Sequence, residues 1–234
     1  MAKKIEQNNP VDINETLTQS EAFFNKYKKA IIIAVLAIIV IIAGVMLWNH
    51  YVTKPHEEEA STVLAKAQQY FDMQQYDKAL KGDGATCTGF LKVASDYSGT
   101  EAGNLANLYA GLCYAHQEKP DWKKALQYLK ECDMPTKSLI GATGLNALAH
   151  AYANNDQLDD AVKTFKKVAE VANDMAEDGV NNSISPRALM EAGIILEKQG
   201  KKQEALAIYE NIKKTYVASP AYQEIDKYIE AAKN

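Results

Sequence analysis

Four histidines, three cysteines and a lone arginine, Arg187, hold most of the chemical range of this 234-residue chain. His50 and His56 follow closely on a long apolar run, whereas His116 and His150 stand in separate helical stretches. None has a carboxylate or cysteine at a spacing that metal binding or nucleophilic catalysis uses. Cys87, Cys113 and Cys132 are odd in number and widely spaced, which is no disulfide framework. Cys113 and Cys132 fall at apolar helix positions, where a free thiol behaves as a small hydrophobe; a bridge between them stays open in an oxidising compartment. Gly82-Asp83-Gly84 lacks the lysine and the preceding strand of a phosphate-binding loop. Asp159-Asp160 reads as a solvated helix start. The residues therefore predict no enzyme, no cofactor and no metal site. What remains is recognition, and the planar fork of Arg187 suits a carboxylate.

The elements that would position such a recognition surface start with an apolar run. Ala30 to Trp48 contains no charged residue, and as a helix it would measure about 28 Å, close to the hydrocarbon thickness of a bilayer. Lys26, Lys28 and Lys29 precede it, and Glu57 to Glu59 follow it. The positive-inside bias then puts residues 1–29 in the cytoplasm, a span at 30–49, and the remaining chain on the far side. Phe23, Phe24 and Tyr27 before the run, and Trp48 and Tyr51 after it, mark the two interfaces. A cleaved signal peptide would need a shorter apolar core and a small-x-small site, so the run reads as an uncleaved signal-anchor. Met1 to Leu17 is polar and expected to be disordered. Thr18-Gln19-Ser20-Glu21 matches a capping box and predicts a helix start at Thr18. Val52 to Pro55 is expected to interrupt the helix, and Glu57 to Glu59 to complement the dipole of the next one.

From Tyr51 onward there are 21 Lys+Arg and 26 Asp+Glu, a net formal charge of −5. That balance disfavours nucleic acid, which needs a basic patch, and broad adhesion to anionic lipid. This part is long enough for one domain with its own core.

Apolar residues recur at helical spacing throughout it, broken by short polar turns. One register repeats: a small residue, an apolar or aromatic one three later, then an alanine after the turn. Ala67, Tyr70 and Ala79 fit it, as do Gly111, Tyr114 and Ala125 followed by Leu129. Ala149, Tyr152 and Ala161 followed by Phe165 fit it, and so do Gly193, Leu196 and Ala205 followed by Tyr209. This register resembles the tetratricopeptide repeat, a helix-turn-helix unit that stacks into a solenoid. The fold class expected is therefore all-α, with an N-terminal transmembrane helix followed by a tetratricopeptide-like α-solenoid over 55–234. The second helix of the first unit is broken between Lys81 and Gly89, and a long turn runs from Asn173 to Ser185. Ser219 and Pro220 open a capping helix with Tyr222, Ile225, Tyr228 and Ile229 on one face.

In such repeats the first helix of each pair lines a concave groove. The register assigns to it Leu105, Leu108, Leu112 and His116, then Asn146, His150 and Asn154, then Arg187, Met190, Ile194 and Glu197. The three leucines read equally well as core. The groove would take an extended peptide or a partner helix.

A short tail, one span and external repeats, with the link Tyr97-Ser98-Gly99-Thr100-Glu101-Ala102-Gly103 before a repeat, resembles the ancillary SecYEG translocon subunits of Gram-negative bacteria. That resemblance implies a periplasmic domain anchored in the inner membrane beside the protein-conducting channel. It further implies partnership with a membrane-anchored chaperone of prolyl-isomerase type and with exported clients. A cell-envelope scaffold for division or peptidoglycan assembly, and an organelle import receptor with cytosolic repeats, are the alternatives.

Overall fold

The computed structural model describes the backbone of residues 13–233 and the side chains from Lys26 onward. Residues 1–12, the side chains of the Thr18–Glu21 capping box, and Phe23 and Phe24 lie outside that description. The chain divides into two units, one up to Pro55 and one from His56.

The first unit is helical. Helix α1 runs Ile13–Trp48, so Ile13 to Leu17 are helical and Thr18 lies inside the helix, not at its start. Its side chains from Ile32 to Trp48 are exposed, with Val40 at 69% and Trp48 at 66%. The helix is long and apolar enough to cross a membrane, and none of its apolar window is buried. A core helix of a water-soluble protein would bury one face. The expected break at Val52 to Pro55 does not occur: Asn49–Thr53 form a π-helical turn, and α2 (Lys54–Asp72) follows directly. Pro55 sits in the first turn of α2, where its missing N–H costs nothing.

The second unit is a stack of antiparallel helix pairs, with no strand among the described residues. The first pair is α2 with α3 (Tyr76–Lys81) and α4 (Phe90–Asp96). The second is α5 (Glu101–His116) with α6 (Trp122–Glu131), and the third α7 (Leu139–Asn154) with α8 (Leu158–Asp174). The fourth is α9 (Ser185–Lys198) with α10 (Lys202–Thr215). A 3-10 turn at Pro220–Gln223 leads into α11 (Ile225–Lys233), which covers the last pair. Ile225 and Ile229 are buried in it and Tyr228 half-buried, but Tyr222 is exposed and takes no part in the capping face.

The register works through size. Gly111 faces Leu129 across its own pair; a β-carbon there would stand 2.5 Å from Leu129 Cγ. Gly193 faces the ring of Tyr209 in the same way. Ala149, Ala161 and Phe165 are fully buried in one cluster. Small residues on one helix thus make room for large ones on the next, as a close-packed interior requires.

The departures from the register are tied down by hydrogen bonds. Between α3 and α4 the Asp83 carboxylate accepts from the N–H groups of Ala85, Thr86 and Cys87 at 2.8–2.9 Å, from Thr86 Oγ1 at 2.8 Å and from Tyr70 Oη at 2.9 Å. These donors hold Asp83 far below the usual carboxylate range. In the long turn, Asn173 Oδ1 accepts from Asn181 N at 2.9 Å and lies 2.7 Å from the Ser185 hydroxyl, while Asn173 Nδ2 donates to Tyr216 Oη at 2.8 Å.

Glu57 does something other than complement its own helix. Its two oxygens accept from Glu101 N at 2.8 Å and Ala102 N at 2.9 Å, and Thr100 Oγ1 accepts from Gly103 N. The first three N–H groups of α5 are thereby satisfied. His56 packs on Tyr97 at 5.1 Å between ring centroids, and Tyr97 Oη donates to Glu59 at 3.1 Å. The Tyr97–Glu101 link is the seat of α2. Cys113 and Cys132 are buried in different clusters and free, as is Cys87, so the Cys113–Cys132 bridge is absent. Burial pushes the Cys113 thiol up to about 12 and the Cys132 thiol up to about 11.

Candidate functional site: two adjoining cavities on the first helices

Side chains of α7 and α9 enclose a cavity of about 450 Å³, lined among others by Thr143, Asn146, His150, Arg187 and Glu191. A second, of about 370 Å³, lies between α9 and the capping segment and is lined by Asn182, Met190, Ile194, Pro220 and Tyr228. Ser183, Arg187 and Glu191 belong to both, so the two adjoin along α9.

Five of the eleven residues that the register assigns to a groove meet here: Asn146, His150, Arg187, Met190 and Ile194. The other six go elsewhere. Leu108 is 4% exposed and belongs to the core between α5, α6 and α7. Leu105 and Leu112 are half-buried against that cluster. His116 stacks on Tyr76 at 5.8 Å, away from α7 and α9. Asn154 spends its amide on the backbone oxygen of His150 at 2.8 Å. Glu197 accepts from Tyr209 Oη at 2.8 Å and serves the packing of α10.

The electrostatics of the first cavity are balanced. Burial is the main cause holding His150 below its ordinary pKa, with Arg187 adding to it and Glu191 opposing, so the imidazole is neutral at pH 7. Its ring packs edge-on against Phe165 at 5.0 Å. Arg187 is exposed and forms no ion pair among the described residues. No three histidine, cysteine or carboxylate side chains gather as metal ligands among the described residues. The arrangement offers hydrogen-bonding groups of both kinds over an apolar floor, which suits holding another molecule.

Thr143, Asn182, Ser183, Glu191 and Tyr228 were not in the register's groove set. Glu191 stands one turn after Arg187 and could have been found by helical spacing. Asn182 and Tyr228 come from a turn and from the capping helix, which lie outside the repeat register.

The fold is shared with solved structures. The TPR-like repeats, nearly identical to one another, of a Podosopora anserina protein assigned as a kinesin light chain superpose with a TM-score of 0.52 at 15% identity, covering 76% of this chain and 96% of that one. A single-residue variant of it gives 0.54 at 15% identity, over 76% and 86%. At that identity the likeness speaks for the fold alone. No curated protein matches the sequence. The model of the tetratricopeptide repeat-like domain matches residues 21–225, and the chain belongs to that family.

Proposed function

We propose that this protein is a membrane-tethered scaffold that holds other polypeptides on the first helices of its repeats. The observation that carries the reading is the pairing, in one chain, of a helix exposed along its apolar window with a repeat domain. Repeat stacks of this kind present long surfaces to protein partners, and an exposed apolar helix of bilayer length suits lipid. The lysines before the span favour residues 1–29 in the cytoplasm, a span at 30–49 and residues 55–234 in the periplasm of a bacterial inner membrane.

The finer reading places the domain beside a SecYEG-type channel. There it would work with a membrane-anchored chaperone of prolyl-isomerase type and receive exported clients. Its support is the domain order and the Tyr97–Gly103 link, which seats α2 on the second pair. Purification of the full chain in mild detergent, followed by identification of the proteins that come with it, tests this. Recovery of channel subunits supports it, and recovery of division or peptidoglycan proteins alone overturns it. Protease digestion of spheroplasts tests the orientation: the repeats are cut if they are periplasmic and spared if they are cytosolic.

A further inference from the structure

The repeat domain has two edges of opposite character. At one edge each pair turns back on itself, through the turns at 73–75, 117–121, 155–157 and 199–201. The links between pairs, at 97–100, 132–138, 175–184 and 216–219, lie at the other. Hydrogen bonds run along both. At the turn edge Gln117 Nε2 donates to Asp77 at 3.3 Å, Asn155 Nδ2 to Trp122 O at 2.7 Å and Gln199 Nε2 to Asp159 at 2.9 Å. At the link edge Glu57 takes the first N–H groups of α5, and Asn173 ties α8 to Tyr216. Between them the Asn104 amide accepts from Asp133 N at 2.7 Å and donates to Asp133 O at 2.8 Å.

The turn edge carries amides and charges, such as Gln74, Gln75, Glu118, Lys119, Asp156 and Lys201. Among the described residues of this domain the exposed large apolar side chains are Met73, Leu139, Ile140, Val217 and Tyr222. All but Met73 stand at the link edge. Leu139 is 64% exposed and Val217 62%, as open as the side chains of α1. Single exposed apolar residues are ordinary, but a set gathered on one edge marks a contact. The backbone holds them outward. Ser138 caps α7 at Gly141 N, and Gly141 approaches Pro135 O so closely that a β-carbon would stand 1.8 Å from it. Ser219 caps the 3-10 turn through Tyr222 N at 3.2 Å.

The chain enters the domain on this same edge, where Glu57 of α2 meets the first link. Only residues 49–56 separate Trp48 from Glu57, a length of at most about 32 Å when fully extended. So short a tether keeps whatever surrounds the apolar helix within reach of the link edge. Around the first two links Glu101, Glu131 and Asp133 line one hollow with no basic side chain. Those carboxylates would repel an anionic headgroup.

We propose that the link edge lies on a lipid surface whose headgroups carry no net charge, with Leu139, Ile140, Val217 and Tyr222 seated among the upper acyl chains. A tyrosine suits such a boundary, with its ring in the apolar layer and its hydroxyl in water. The proposal rests on the membrane-tethered reading above and goes beyond it. The apolar helix is one attachment and the link edge a second, so the repeats are held in one orientation instead of swinging on their tether.

The test uses the full chain in phosphatidylcholine vesicles that contain a phosphatidylcholine analogue with a diazirine near the glycerol end of one acyl chain. After illumination, peptide mapping locates the adducts. They should appear in α1 and also over residues 139–140 and 217–222, and be absent from 73–75 and 117–121. Leu139→Ser combined with Ile140→Ser should cut the link-edge adducts about fivefold or more. The melting temperature should stay unchanged, since neither side chain is packed. Phosphatidylglycerol mixed into the vesicles should lower the link-edge adducts and leave those in α1 as they are.

Adducts confined to α1 overturn the proposal and leave the span standing; the same result with the chain dimeric would assign the patch to a second copy. Absence of adducts from α1 overturns the tethered reading itself. Equal labelling of the two edges overturns the proposal, because the domain would then be meeting lipid at random. So does link-edge labelling that rises with phosphatidylglycerol, which would make charge the attraction.

Discussion

Tyr209 lies across the bare α-carbon of Gly193 on the paired helix, and its hydroxyl donates to Glu197 one turn further along that same helix, at 2.8 Å. The ring is fully buried. Burial, and then the hydrogen bond to Glu197, raise the pKa of the phenol, so it stays protonated and donating at physiological pH. One aromatic residue thereby fixes both the spacing and the rotation of α9 against α10. Gly193→Ala puts a methyl into the ring and should destabilise the protein by about 1–3 kcal/mol. Tyr209→Phe keeps the ring and loses one hydrogen bond, costing about 0.5–1.5 kcal/mol. Urea unfolding of both variants checks the order; a larger loss for Tyr209→Phe would show that the close approach is unimportant.

The Asn173 junction joins α8, the long turn and the end of α10. Asn173→Ala removes the acceptor for Asn181 N and the donor to Tyr216, and should cost about 1–3 kcal/mol. Hydrogen exchange should speed up across residues 175–184 well before the rest of the repeats. Unchanged exchange there would mean that the turn is held by its apolar contacts instead.

Glu57 anchors the start of the repeat domain on α5. Glu57→Ala leaves Glu101 N and Ala102 N without their acceptor, with an expected cost of about 1 kcal/mol, in the range of a lost helix cap. Limited proteolysis between Tyr97 and Glu101 should become faster. Glu58→Ala serves as the control; equal effects from the two would refute the assignment.

His150 makes stability depend on pH near neutrality. Its pKa is lowered in the fold, so below its ordinary value of about 6.5 the unfolded chain binds the proton that the folded one refuses. Stability should therefore be unaffected above that pH and fall as the pH drops below it. His150→Gln should flatten this part of the profile, measured as melting temperature against pH. A profile that keeps its slope would place the titration on another group.

Asp83 acts in more acidic solution. With its folded pKa depressed by backbone and hydroxyl donors, its contribution is complete above the unfolded value of about 3.9 and is lost as pH falls below it. Asp83→Asn should abolish that acid-dependent component and loosen residues 82–87, visible as faster exchange at Ala85, Thr86 and Cys87. Wild-type acid sensitivity in the variant would show that other carboxylates carry it.

Much of the architecture was legible in the residue order because it rests on local chemistry. Ala30 to Trp48 has no polar side chain to turn towards a core or water, so an exposed apolar helix follows from composition. The register of small residue, aromatic and alanine prescribes the helix pairs, since only a glycine or alanine leaves room for Leu129, Phe165 or Tyr209. Helix ends were less legible. Thr18 looked like a cap and is interior, and Val52 to Pro55 looked like a break yet stays helical. Such signals are weak biases, and continuing backbone hydrogen bonds outweigh them.

The cavities were decided by tertiary structure. Register alone treats Leu108 and Asn146 alike, but α6 and α7 close over Leu108, whereas Asn146 opens on the cavity between α7 and α9. It likewise gives no sign that Glu197 is taken by Tyr209, that Glu57 belongs to α5, or that Asn182 and Tyr228 border the same hollow as Met190. These are relations between residues far apart in the chain. Periodicity states which face of a helix is apolar, and only the packing of neighbouring helices settles which part of that face remains open.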